Sequence, residues 1–198
     1  MSGEDGVGPA RTAVRRRDRA KEDAWIREVL MRAPFGFLAS MGPQGQPFLN
    51  SNLFVYEPEK HCIYTHTHRT GRTVDNLTEP GAVAFAVGAM GRVLPAAAAL
   101  NFSVEYLGVT VFGRGSVVSD EEEARCALRL LLDKYAPHLR PGRDYTGMTD
   151  ADMQRTSVHR VDIEEWSGKQ KEADADPPGA FEFPPLPVPF VGSSAEGG

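Results

Sequence analysis

The stretch from Ile63 to Leu77, IYTHTHRTGRTVDNL, packs a strand, a turn and the start of a helix into fifteen residues. Ile63, Tyr64 and Thr65 are β-branched or aromatic and favour a strand. His66 and His68 follow one residue apart, so on that strand they share a face. Gly71-Arg72-Thr73 then turns the chain into a short helix over residues 74–77, stopped by Pro80. A strand end carrying Thr65 and His66, followed by Arg72 and Thr73 at a helix start, suits a ligand with an aromatic ring and a phosphate. Free N–H groups attract the anion, and a guanidinium grips it through two hydrogen bonds. The competing reading makes these histidines packed structural residues, and Gly-Arg-Thr alone does not choose between the two.

Working outward, Trp25, Ile26, Val29 and Leu30 recur at helical spacing and predict a helix over 22–32. Phe35 to Met41 reads as a strand ending at Gly42-Pro43, and Pro47 to Tyr56 as a second strand after the Gln44-Gly45-Gln46 turn. Asn50, Ser51 and Asn52 inside that strand form either a solvated outer face or a row that hydrogen-bonds a polar ring edge. The focal strand follows over 62–67. Gly81 to Met90 is nearly all apolar, as in a strand buried on both faces. Residues 91–100, with Pro95 and four alanines, read as a loop. Phe102 to Ser119 is a long strand whose Gly108 and Gly113 suggest the bulges that curve a sheet. Asp120 with Glu123 predicts a capped helix ending before Pro137; Thr149 with Asp152 predicts a shorter one, and 157–166 the last strand.

Three segments are expected: a flexible basic arm over 1–21 around Arg15, Arg16, Arg17 and Arg19, a folded domain over 22–171, and an extended tail over 172–198. Six prolines between Pro177 and Pro189 give the tail its polyproline character. The chain of 198 residues carries a net charge of −5, which argues against nucleic acid as a general partner. Cys62 and Cys126 are the only cysteines and do not make a disulfide framework. No apolar run reaches the length of a membrane span, and no leader-type apolar segment follows Met1, so a cytoplasmic protein without membrane partners is expected. Six or so strands with helices outside them predict a mainly β fold, a small antiparallel barrel with peripheral helices.

The order of the helix, the GFLAS and FLNSNLFVY strands, IYTHTHRTGR, FSVEYLGVTVFGRG, the capped helix, RTSV and WSGK resembles the pyridoxamine phosphate oxidase-like flavin-nucleotide-binding proteins. Within that group it is most similar to the Nim-type nitroimidazole resistance proteins. The resemblance covers about residues 22–171. It implies a six-stranded antiparallel split barrel, a homodimer, and FMN at the subunit interface. It places the phosphate element on Gly71-Arg72-Thr73, with Thr73 where the family has a lysine, and the active-site histidine on His66. It places the strand beside the flavin ring on Leu49, Asn50, Ser51 and Asn52, and further ring or phosphate contacts on Trp166 and Lys169. Some relatives of this fold hold haem or a deazaflavin instead.

The resemblance thus implies a flavin-dependent oxidoreductase acting on small nitro-aromatic or other oxidised compounds. In it Arg72 anchors the phosphate and His66 handles substrate and protons. A non-catalytic module that binds flavin or haem is the alternative. A metal site on His66 and His68, completed by His61 or Cys62, ranks below both because no ligand set of recognisable spacing is completed.

Overall fold

Apolar runs broken by Gly, Pro and Asn turns become strands, and in the computed structural model these strands join in one sheet with helices packed on it. The structure describes residues 11–173 and 176–184. The chain enters through the two-residue strand β1 (Ala20–Lys21) and α1 (Asp23–Arg32). It continues through β2 (Gly36–Met41), β3 (Pro47–Asn52), β4 (Phe54–Glu57) and β5 (Cys62–His68). Next come α2 (Arg72–Leu77), β6 (Gly81–Leu94) and β7 (Ser103–Val117). The helices α3 (Glu121–Tyr135) and α4 (Asp150–Arg155), then β8 (Thr156–Lys171) and β9 (Phe181–Glu182), complete it. The strand order is β3-β2-β6-β7-β8-β5-β4, with β1 added to β8 and β9 to β6.

The expected class holds: a mainly antiparallel sheet with peripheral helices. Its details differ in three places. The strand expected over Pro47–Tyr56 is two, because Leu53 breaks it: β3 pairs with β2 and β4 with β5, at opposite ends of the strand order. Tyr135 at the end of α3 fixes that break. Its hydroxyl accepts the Phe54 N–H at 3.0 Å and lies 2.9 and 3.0 Å from the Pro34 and Phe54 carbonyls. The six strands become a path of seven for this reason. The loop expected from Gly91 begins later, since β6 runs on to Leu94, and β8 extends past Trp166 to Lys171.

Both predicted caps are present. Asp120 accepts the Glu123 N–H at 2.7 Å, and Thr149 with Asp152 forms a full capping box.

Strands β4, β5 and β8 are buried on both faces, so alternate residues feed two cores. Phe54, Tyr56, Ile63 and Val161 pack with Ile26, Leu30 and Phe85 in the first. Val55, Cys62, Tyr64 and Val158 pack under Ala127, Leu128 and Leu131 of α3 in the second.

The chain divides into two compact units, Met1–Gly88 with Leu107–Gln170, and Ala89–Tyr106 with Lys171–Gly198. Within the first, Arg11 pairs with Glu164 and Glu165, and Ala20–Lys21 pair with Lys169 and Gly168. Within the second, Arg92 holds Glu105 and Asp176, and Phe181–Glu182 pair with Val93 and Arg92. The first ten residues and the end of the tail, 185–198, lie outside the described residues.

Candidate functional site

Register decides which residues of the Asn-rich stretch can meet α2. Leu38 stands opposite Asn50 and Gly36 opposite Asn52, so both amides share the face of buried Leu38. Leu49 and Ser51 point the other way, opposite Ala39 and Phe37. On the inner face Asn50 Nδ2 donates to Thr73 Oγ1 at 3.1 Å, and Asn52 Nδ2 donates to the Asn50 carbonyl at 3.1 Å. Phe48 shares that face, and its ring centroid lies 5.1 Å from the Arg72 guanidinium carbon. Asn76 Nδ2 donates to Ser40 Oγ at 2.9 Å and fastens α2 to β2. Gly71 enters α2 at φ 141°, a conformation that disfavours any side chain. Phe48, Asn50, Asn52, Arg72 and Thr73 therefore meet in one corner, an exposed guanidinium above buried hydroxyl and amide groups.

Thr65 and His66 were expected beside one ligand, but strand alternation sends them to opposite faces of β5. Thr65 follows Ile63 toward the first core, and His66 follows Tyr64 toward the side of α3. Opposite Thr65 stands His159, and both are fully buried. Thr67 Oγ1 lies 2.9 Å from His159 Nε2 and 2.9 Å from the His68 carbonyl. A carbonyl only accepts, so the single Thr67 proton goes there and Nε2 carries the histidine hydrogen. His159 Nδ1 is left as a bare lone pair, and among the described residues Thr65 Oγ1 also has no partner. Burial, and secondly the nearby His66, hold the His159 pKa down at about 4. Sequence reasoning missed His159, since a lone histidine in an apolar strand reads as core. Its register with Thr65 is the signal, and that appears only once the strands are paired.

His66 keeps an exposed edge and, among the described residues, its ring makes no hydrogen bond. Desolvation by its surroundings pushes its pKa below the ordinary value, so the ring is neutral near pH 7 with one N–H and one lone pair. It lines a cleft of about 460 Å³ with Thr67, His68, Asp152, Arg155 and Thr156. His68 is tied into the turn instead: its Nδ1 accepts the Thr70 N–H at 3.2 Å.

Trp166 and Lys169 do not join this corner within one chain. Strand β8 runs antiparallel to β5, with Thr156 beside His68 and Asp162 beside Cys62, so Trp166 lies past the far end. There its Nε1 donates to Asp23 at 2.8 Å and its ring stands edge-on to His61 at 4.6 Å. His61 and Cys62 belong to that same far end. Among the described residues no group of three or more His, Cys, Asp or Glu is placed to hold a metal. Among them, too, no helix is long and apolar enough to cross a membrane.

Residues 22–170 match the family model described as pyridoxamine 5'-phosphate oxidase. The chain belongs to this family. Its sheet is that family's split barrel, and solved structures agree at the level of the fold. The flavocytochrome Anf3 from Azotobacter vinelandii is 24% identical, with a TM-score of 0.73 over 91% of this chain and 90% of its own. A FAD and haem binding protein from Mycobacterium smegmatis is 20% identical, with a TM-score of 0.70 over 89% of this chain and 92% of its own. A candidate 5-nitroimidazole antibiotic resistance protein from Bacteroides thetaiotaomicron is 18% identical, with a TM-score of 0.61 over 77% of this chain and 89% of its own. A search of curated proteins found no match.

Proposed function

We propose that this family member binds a flavin nucleotide, FMN in its simplest form, and reduces small nitro-aromatic or otherwise oxidised compounds as a homodimer. The observation that carries the reading is the corner where Asn50 bonds Thr73 and Arg72 lies over Phe48. It joins an anion-binding guanidinium to amides and an aromatic face, the donor set a phosphorylated ring compound needs. The orphaned hydroxyl of Thr65 and lone pair of His159 add buried polar atoms on β5 and β8 that await a partner.

When bound, a flavin supplies paired electrons that no side chain provides. The chain's own residues do the rest. Arg72 and Thr73 hold the phosphate, and Asn50 with Asn52 orients the ring edge. His66, neutral near pH 7, accepts or returns a proton at its free ring nitrogen in the cleft with Thr156. Thr73 in place of a lysine leaves Arg72 as the cation of the Gly71-Arg72-Thr73 turn.

Two features support a homodimer. Phe37, Met41 and Leu49 are 43%, 51% and 61% exposed and lie together on the outer face of β2 and β3. Trp166 and Lys169, flavin contacts by the family resemblance, lie remote from Arg72 in one chain, so their taking part in the corner calls for a second copy. A haem-binding reading has one point in its favour: the two solved structures whose descriptions include a cytochrome or haem align over 91% and 89% of this chain.

The test is to denature the purified protein, identify any released cofactor by absorption, and titrate the emptied protein with FMN. Released or rebound flavin with NADH-driven nitro-reduction is expected. A Soret band selects the haem reading, and a protein that neither releases flavin nor is stabilised by it ends the proposal.

A further inference from the structure

Arg72 and Thr73 open α2 toward the flavin corner, and the next residue, Val74, opens on something else. A cavity of about 710 Å³ lies between α2, the end of β7, the first turn of α3, α4 and the start of β8. Val74, Val117, Val118, Ala124, Met153 and Val158 give it an apolar wall. Arg69 lines it three residues before Arg72, and among the described residues its side chain makes no hydrogen bond or ion pair. On the same lining stand Asp120, Glu121 and Asp150. Their carboxylates have structural duties: Asp120 accepts the Glu123 N–H at 2.7 Å, while Glu121 and Asp150 bracket the Arg125 guanidinium at 2.8 and 2.5 Å. A carboxylate offers about four acceptor positions, so each still has lone pairs free for hydroxyl donors.

The lining thus presents a guanidinium without a partner among the described residues, an apolar wall and several acceptors within one volume. The volume is in the range of organic ligand sites, roughly 300–1,000 Å³, and far larger than a lone phosphate needs. We propose that this cavity holds an adenylate group, the nucleoside-monophosphate half of a dinucleotide. Arg69 takes its phosphate, the valines and Met153 flank the base, and the carboxylates accept from the ribose hydroxyls, as acidic residues do in other dinucleotide sites. The proposal rests on the flavin reading above: with FAD, Arg69 and Arg72 take the two successive phosphates of one pyrophosphate, and with a nicotinamide dinucleotide beside FMN, Arg69 takes the adenylate phosphate alone. The same chemistry has two sources: FAD in place of FMN, or a nicotinamide dinucleotide arriving as reductant.

Titration of the full-length protein separates them. FMN is compared with FAD, and NADH with reduced nicotinamide mononucleotide on the FMN-loaded protein. The variants are Arg69→Ala and Gln154→Trp, the latter filling the cavity from an exposed position on α4. If FAD is the source, it binds at least about tenfold tighter than FMN, the size of a lost charge-assisted contact. Both variants then bring FAD to the FMN value and leave FMN within about twofold of its own. If the reductant is the source, the same pattern appears for NADH over the mononucleotide. Either pattern supports the site. A chain that shows no preference for either dinucleotide, or keeps its preference in both variants, overturns it. If neither flavin binds, the flavin reading falls, and NADH against its mononucleotide on the unloaded protein still decides the cavity by the same criteria.

Discussion

At the scale of single residues, the site divides labour by the face each side chain takes. Arg72 is exposed over Phe48, so its replacement leaves the fold intact and removes an anion contact. Arg72→Ala is expected to weaken flavin binding about tenfold or more, the loss of roughly 1.5–3 kcal/mol for a charge-assisted hydrogen bond. Calorimetric titration of both proteins checks it, and equal dissociation constants would place the phosphate elsewhere. His66→Ala should lower nitro-substrate turnover by about a hundredfold with flavin affinity nearly unchanged, whereas His68→Ala, whose Nδ1 is engaged by the Thr70 N–H in the turn, should alter neither. His159 makes a pH prediction. Its folded pKa of about 4 lies below the ordinary 6.5, so the unfolded chain takes the proton more readily. The stability from its neutral burial is complete above pH 6.5 and is lost as the pH falls toward 4. A gap of about two and a half units at about 1.4 kcal/mol each makes the loss roughly 3 kcal/mol. Melting curves across that window should slope in the wild type and flatten in His159→Gln. Parallel slopes would show that another group titrates.

At the scale of elements, the strands and caps were legible because their signals are local. The β-branched run at Ile63, the Asp120 and Thr149 caps and the apolar period of α3 each lie within one turn or one strand. The break at Leu53 was not legible. Nothing in FLNSNLFVY stops a strand; the stop at Leu53 comes with Tyr135, 81 residues beyond Phe54, whose hydroxyl accepts the Phe54 N–H and shares its one proton between the Pro34 and Phe54 carbonyls. The site followed the same rule. Arg72 and Thr73 announce themselves in a glycine turn, and Asn50 reads as either solvated or ligand-facing. Its bond to Thr73 and the pairing of Thr65 with His159 depend on register between distant strands. Tyr135→Phe tests this account of the break. It leaves the Phe54 N–H and carbonyl short of a partner, and such unsatisfied groups cost about 1–3 kcal/mol each. Chemical denaturation should show a midpoint shifted down by that order with the slope unchanged, and an unshifted midpoint would mean that Leu53 breaks the strand without help.

At the scale of the whole molecule, the outer face of β2 and β3 is the apolar surface offered to a partner. Phe37, Met41 and Leu49 stand there at 43–61% exposure, on a strand pair whose inner face carries Asn50 and Asn52. Contiguous apolar surface of this kind favours association. The proposed dimer is also what lets Trp166 and Lys169 contribute beside Arg72, since within one chain β8 carries them to the other end of β5. One experiment tests both ideas. Light scattering of the wild type should give twice the chain mass of 21.6 kDa. Leu49→Glu, which puts an unpaired charge into the buried face of a dimer but into solvent in a monomer, should halve that mass with little change in the folded spectrum. Flavin affinity should fall with it, because a monomer keeps Arg72, Thr73 and Asn50 but loses whatever the second copy adds. A Leu49→Glu protein that is monomeric yet binds flavin as tightly as the wild type would place the whole site within one chain and leave Trp166 and Lys169 as supports of α1 and β1.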